Sequence, residues 1–189
     1  MLHKLSIALT NNLIKTSHLR IDADQQEVYI YGLECLLNSS ITITILFLWG
    51  ASTHSLLITV VWLIAFTLLR HYAGGYHAPT NFACISSTVL LGSSTYIFTY
   101  IPIKHYTVLY FIMILLCLLF APAKEHRGKY LLRHDGYYKS LCICILLFGY
   151  FLHYFLPIEI SLAYTYAFIC CLILMLIDMI KNAKKATPL

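Results

Sequence analysis

Six apolar stretches, at approximately residues 28–49, 55–70, 82–101, 106–123, 140–157 and 160–180, succeed one another along the chain with little between them. A helix of roughly 20 apolar residues crosses about 30 Å of hydrocarbon, and only helices or closed barrels satisfy their backbone there. Six such helices and their connections account for nearly all 189 residues. Composition agrees: 60% of residues are apolar and 11% charged, less than half the charge of an ordinary soluble domain. The expected fold is therefore all-α, a polytopic bundle of about six spans forming a single domain. Trp49, Trp62, Tyr100, Tyr106, Tyr137 and Tyr138 fall mostly near the expected ends, as interfacial aromatics do.

Residues 1–27 have a different character from the apolar stretches. Leu2, Leu5, Leu9 and Leu13 recur at helical spacing among Lys4, Asn11, Asn12 and Lys15, the pattern of an amphipathic segment lying in the interface. No run of seven apolar residues comes after the basic start, so no cleavable leader is expected. Residues 28–180 then form the six-span bundle and 181–189 a cytoplasmic tail.

The net charge of +5 does not suggest nucleic acid, because Lys and Arg sit between apolar stretches rather than along one helical face. Lys4, Lys15 and Arg20 precede the first span, and Arg70 closes the second. Lys124, Arg127, Lys129, Arg133 and Lys139 separate the fourth from the fifth, and Lys181, Lys184 and Lys185 come after the sixth. Lys104 alone falls at the opposite end. The positive-inside rule makes the crowded face cytoplasmic, with both termini on it.

Cys35, Cys117, Cys142, Cys144, Cys170 and Cys171 lie inside apolar spans without metal-ligand spacing and read as small packing residues. Cys84 is different because it closes the run Arg70-His71-Tyr72-Ala73-Gly74-Gly75-Tyr76-His77-Ala78-Pro79-Thr80-Asn81-Phe82-Ala83-Cys84. Paired glycines and a proline break the helix, and irregular backbone at membrane depth persists only where protein or a wet cavity covers it. Thr80 is placed to cap the next helix, leaving Cys84 in its first turns, where the helix dipole favours a thiolate. A bend at Pro79 can bring the His77 imidazole to the thiol. Thiol and imidazole are the minimum for acyl transfer. The same residues also admit a zinc site made by His71, His77 and Cys84, or an incidental thiol in a glycine-rich connection.

The run from Arg70 to Cys84, above all Gly74-Gly75-Tyr76-His77-Ala78 with cysteine seven residues after the histidine, resembles the signature of the accessory gene regulator B (AgrB) family of membrane cysteine endopeptidases. The likeness extends to chain length, the amphipathic start, Glu34 in the first span and the basic loop after Pro122. That loop reads Ala123-Lys124-Glu125-His126-Arg127, lacking a second proline found in many members. The resemblance implies catalysis by His77 and Cys84 on a short membrane-associated propeptide, in a bacterial cell membrane with the site near the cytoplasmic face. It implies a thiolactone or lactone product for quorum sensing, no cofactor and no metal. A homodimer is compatible with it, and nucleic acid is not a partner.

Glu34, Arg70, Gly74 and Gly75 are expected to support the site. Counted from the outer turn, Glu34 lies fifteen residues before Trp49 and Arg70 fifteen after Ser55, so an ion pair at similar depth is the expectation. The group orienting His77 is open among Asn81, Glu34 and a backbone carbonyl. Backbone amides at the start of the third span, that of Cys84 included, are the expected oxyanion donors. The residues 124–139 read as a solvated loop or a docking surface for an acidic segment or anionic lipid. The competing class is a small transporter or channel lined by the broken connection.

Overall fold

A computed structural model describes residues 2–17, 22–76, 78–101, 103–123 and 135–186; the basic segment 124–134 and His77 lie outside these. Among the described residues there are seven helices and no strand: α1 Leu2–Ser17, α2 Ala23–Ser52, α3 Leu56–Ala73, α4 Asn81–Phe98, α5 Tyr106–Phe120, α6 Asp135–Leu152 and α7 Ile158–Ala186. The first is the amphipathic segment, and α2 to α7 are the six apolar stretches in order. By length and composition α2, α3 and α7 are long and apolar enough to cross a membrane. α4, α5 and α6 are shorter or less apolar, and complete the bundle.

Boundaries differ from the apolar stretches where hydropathy is blind. α2 starts at Ala23 rather than residue 28, because Asp22 caps it by accepting the Gln25 N–H at 2.7 Å. Its 30 residues span about 45 Å, more than the hydrocarbon thickness, so its first turns project beyond it. α6 begins at Asp135, five residues before its apolar stretch, and ends at Leu152, before Pro157.

α7 is the central helix, packing on α3, α4, α5 and α6. Its Leu172, Met175 and Phe168 meet Trp62, Phe66 and Leu69 of α3, Met113 of α5 and Leu146 of α6 in one buried core. Trp62 and Phe66 stack at 4.7 Å. Polar groups join helices inside it: Tyr110 and Thr165 hydroxyls are 3.0 Å apart, and Ser94 and Tyr166 are 2.7 Å apart. Such bonds hold helices together where the hydrophobic effect cannot. The outer surface carries Phe47, Leu48, Phe111, Leu119, Phe148 and Phe151, all more than half exposed, as a surface facing acyl chains should be.

α1 lies antiparallel along the first turns of α2. His3 Nδ1 is 3.0 Å from Glu34 Oε2, and Gln26 donates to Asn11 Oδ1 at 2.9 Å. Ser6 and Thr10 are buried, whereas Leu5, Leu9 and Leu13 face outward. Leu5 and Leu9 of the stripe expected to meet lipid are thus on the outward side of α1.

Candidate active site

The connection between α3 and α4 folds as its glycines demand. Gly74 and Gly75 have φ of 69° and 132°, values that residues with a β-carbon adopt only under strain. The Gly74 N–H closes α3 on the Arg70 carbonyl at 3.0 Å. A β-carbon at Gly75 would lie 3.2 Å from the Met175 nitrogen and 3.3 Å from the Leu174 carbonyl carbon, so the connection is pressed directly onto α7. The Tyr76 N–H donates to the Leu174 carbonyl at 3.0 Å, and Lys181 Nζ sits 3.8 Å above the Tyr76 ring. Arg70 completes the brace: its Nη2 donates to the Tyr76 carbonyl at 2.6 Å, while its guanidinium lies 5.7 Å over Phe66. The backbone is thus fixed up to the residue before His77.

After the connection, Thr80 caps α4 through its hydroxyl, which accepts the Ala83 N–H at 3.2 Å. Its carbonyl accepts the Cys84 N–H at 3.0 Å, placing Cys84 in the first full turn at a helix N-terminus, as the sequence indicates. These bonds also narrow an expectation to the Asn81 and Phe82 amides of the helix start. The Ala83 and Cys84 amides are already committed to Thr80, so neither is a free oxyanion donor.

Cys84 opens onto a cleft of about 630 Å³ between α2, α3 and α4. Glu34, Asn38, Arg70, His71, Ala78, Asn81 and Thr88 line it with Cys84, while Ile43, Leu63 and Phe66 make its apolar depth. It is polar at the end that carries the α3–α4 connection and apolar further along α2. A peptide with a hydrophobic portion can enter such a groove from an interface.

Glu34 and Arg70 share this cleft, as the depth count suggests, but do not pair. Among the described residues the ion pair at Glu34 is with His3, and Asn81 Nδ2 donates to its other oxygen at 2.5 Å. Arg70 instead holds the Tyr76 carbonyl, and its Nη1 is buried without a partner. Counting residues from the outer turn gives height along a helix and says nothing of rotation about its axis. Two side chains at one depth can therefore face different neighbours.

The remaining cysteines sort by position. Cys117, Cys142, Cys170 and Cys171 are buried; Cys171 Sγ lies 3.3 Å from the Phe66 carbonyl. Cys35 is exposed and lines the same cleft as Cys84 from the facing helix, which spacing does not announce. Asn38 and Thr42 also line the cleft without having been singled out by any motif. Their signal is present all the same: Glu34, Asn38 and Thr42 recur every four residues in an otherwise apolar helix, marking a face turned to protein or water.

Cys84 thus stands at a helix start, beside a braced glycine connection and a half-polar cleft, and the family comparison covers nearly the whole chain. The model of accessory gene regulator B matches residues 6–180. The chain belongs to the accessory gene regulator B family. Neither the curated proteins nor the solved structures yield a match. Family membership makes this AgrB chain a membrane-associated participant in quorum-sensing peptide processing, with a propeptide as its substrate.

Proposed function

We propose that this AgrB chain is a membrane-embedded cysteine endopeptidase that cuts its propeptide toward the C-terminal side and hands the N-terminal portion to an internal acceptor. The observation that carries the reading is the seating of Cys84: first turn of α4, on the wall of a cleft large enough for several residues of peptide.

The Cys84 thiolate attacks the scissile carbonyl carbon, His77 having taken its proton. The C–N bond breaks, the departing amine takes a proton from the His77 imidazolium, and the N-terminal portion remains as a thioester on Cys84. A thiol or hydroxyl within that portion then attacks the thioester carbonyl, closing a thiolactone or lactone and freeing the Cys84 sulfur. Amide resonance is lost in the first step, so release of the cleaved tail helps to draw it forward. The apolar depth of the cleft keeps water from the thioester, which favours cyclisation over hydrolysis.

The reading includes six membrane spans, both termini cytoplasmic and the site at the cytoplasmic boundary. Arg70, Lys139 and Lys181 lie at the same end of the bundle as the cleft mouth, and Lys104 at the other. Glu34, Arg70, Gly74 and Gly75 act as supports of the site. Co-expression with a propeptide, with mass analysis of the products, tests the activity: a shortened, dehydrated cyclic product is expected with the natural chain and none with Cys84→Ala.

A further inference from the structure

A cysteine peptidase needs a hydrogen-bond donor for the carbonyl oxygen that becomes negative during attack, and the amides nearest Cys84 are spent. Ala83 N–H is held by Thr80 Oγ1 and Cys84 N–H by the Thr80 carbonyl. Of the start of α4 the Asn81 and Phe82 amides remain, and a side chain on the facing wall of the cleft is a second source of the donor.

α2 and α4 run parallel, and two contacts fix their register. Near one end Asn81 donates to Glu34, forty-seven residues apart in number. About 18 Å further along, Gly92 packs on Leu46, forty-six apart, so closely that a β-carbon at Gly92 would lie 2.6 Å from Leu46 Cδ2. The register is thus kept over three turns. It sets Asn38 level with Cys84, and both line the one cleft.

The Asn38 side chain makes no hydrogen bond among the described residues, and its Oδ1 is buried without a partner. Its neighbours differ. Asn81 is engaged by Glu34, and the Thr42 hydroxyl donates to the Asn38 backbone carbonyl at 2.9 Å. The buried orphan Oδ1 is an acceptor that a substrate N–H can satisfy, and Nδ2 of the same carboxamide, which is not among the buried orphans, is the donor available to the cleft.

We infer that Asn38 is a catalytic residue of this site, its Nδ2–H receiving the oxygen of the scissile carbonyl as that oxygen gains charge on attack by Cys84. The assignment rests on the peptidase reading and deepens it. Donor and nucleophile then stand on opposite walls, α2 and α4, and the substrate is a peptide threaded between them with its scissile carbonyl at the level of Cys84. A neutral amide can stabilise the developing negative charge, and Arg70, the cation of the same cleft, is turned to the Tyr76 carbonyl and Gly75.

Purified chain in detergent or vesicles, given a synthetic propeptide, separates this assignment from the reading on which it rests. Asn38→Ala and the near-isosteric Asn38→Asp are compared with the natural chain and with Cys84→Ala. The expected result is a fall in kcat on the order of a hundred- to a thousand-fold for both Asn38 variants. KM changes little, and alkylation of Cys84 by iodoacetamide keeps its natural rate, showing a folded site with an intact nucleophile. Natural kcat in either Asn38 variant, with Cys84→Ala inactive, overturns the role of Asn38 and leaves the peptidase reading standing. Cleavage by folded Cys84→Ala overturns both. A loss confined to KM, or slowed Cys84 alkylation, overturns the oxyanion role in favour of substrate binding or of structure.

Discussion

Asn81, the first residue of α4, donates its side-chain amide to Glu34 of α2 at 2.5 Å, and so ties the turn that carries Cys84 to the helix on the opposite wall of the cleft. The same carboxylate receives His3 of α1 at 3.0 Å. One side chain joins α1, α2 and α4.

Removing that junction should loosen the site without unfolding the bundle. A hydrogen bond to a charged group contributes roughly 1.5–3 kcal/mol, so Glu34→Ala is expected to lower cleavage at least tenfold. Asn81→Ala should give a similar loss, and the double variant little more than either single one, because both remove the same bond. Cleavage rates and thermal unfolding of the four proteins check this. His3→Ala, which removes a partly exposed contact, should cost less than Glu34→Ala.

Gly75 carries a second prediction. With φ of 132° and the Met175 nitrogen 3.2 Å from where a β-carbon would stand, Gly75→Ala must both strain the backbone and push the connection from α7. The backbone strain costs on the order of 1–3 kcal/mol. Lower thermal stability and strongly reduced cleavage are expected from it, whereas Gly32→Ala, in the interior of α2 with no neighbouring element within 4 Å of the added carbon, should leave cleavage unchanged and raise stability by up to about 1 kcal/mol.

The helix cap can be tested apart from the connection. Thr80→Ala removes the acceptor of the Ala83 N–H and is expected to destabilise by about 1 kcal/mol, and Thr80→Ser to restore most of it. Circular dichroism melts of the two variants measure the difference.

Much of this architecture was legible in the sequence, for identifiable reasons. Apolar length located α2 to α7, since hydrocarbon imposes a minimum on any spanning helix. Gly74-Gly75 and Thr80 announced a helix end and a helix start, because φ above zero and N-capping depend on residue type at single positions. The partners of Glu34 and Arg70 were not legible. They depend on how each helix is rotated about its axis, which is set by contacts such as Leu46 on Gly92 and Cys171 on Phe66, joining segments distant in the chain. The level placement of Asn38 with Cys84 depends on that packing too, although the ladder Glu34, Asn38, Thr42 marked the face.

Topology is tested by reporter fusions. Fusions after Ser17 and at Lys185 should both report from the cytoplasm, and one at Lys104 from outside. A Lys185 fusion that reports from outside contradicts six spans with a cytoplasmic N-terminus.

On the proposed mechanism Cys84 becomes acylated by the N-terminal portion of the propeptide. Rapid acid quenching of the purified chain during turnover, then protease digestion and mass spectrometry, reads the Cys84 peptide directly. The account predicts an added mass equal to the N-terminal portion less water, released by hydroxylamine, present on Cys84, absent from the neighbouring Cys35 and undiminished in Cys35→Ala. Turnover with no acyl group on Cys84 at any quench time, or the same adduct forming on another residue of a folded Cys84→Ala chain, contradicts it.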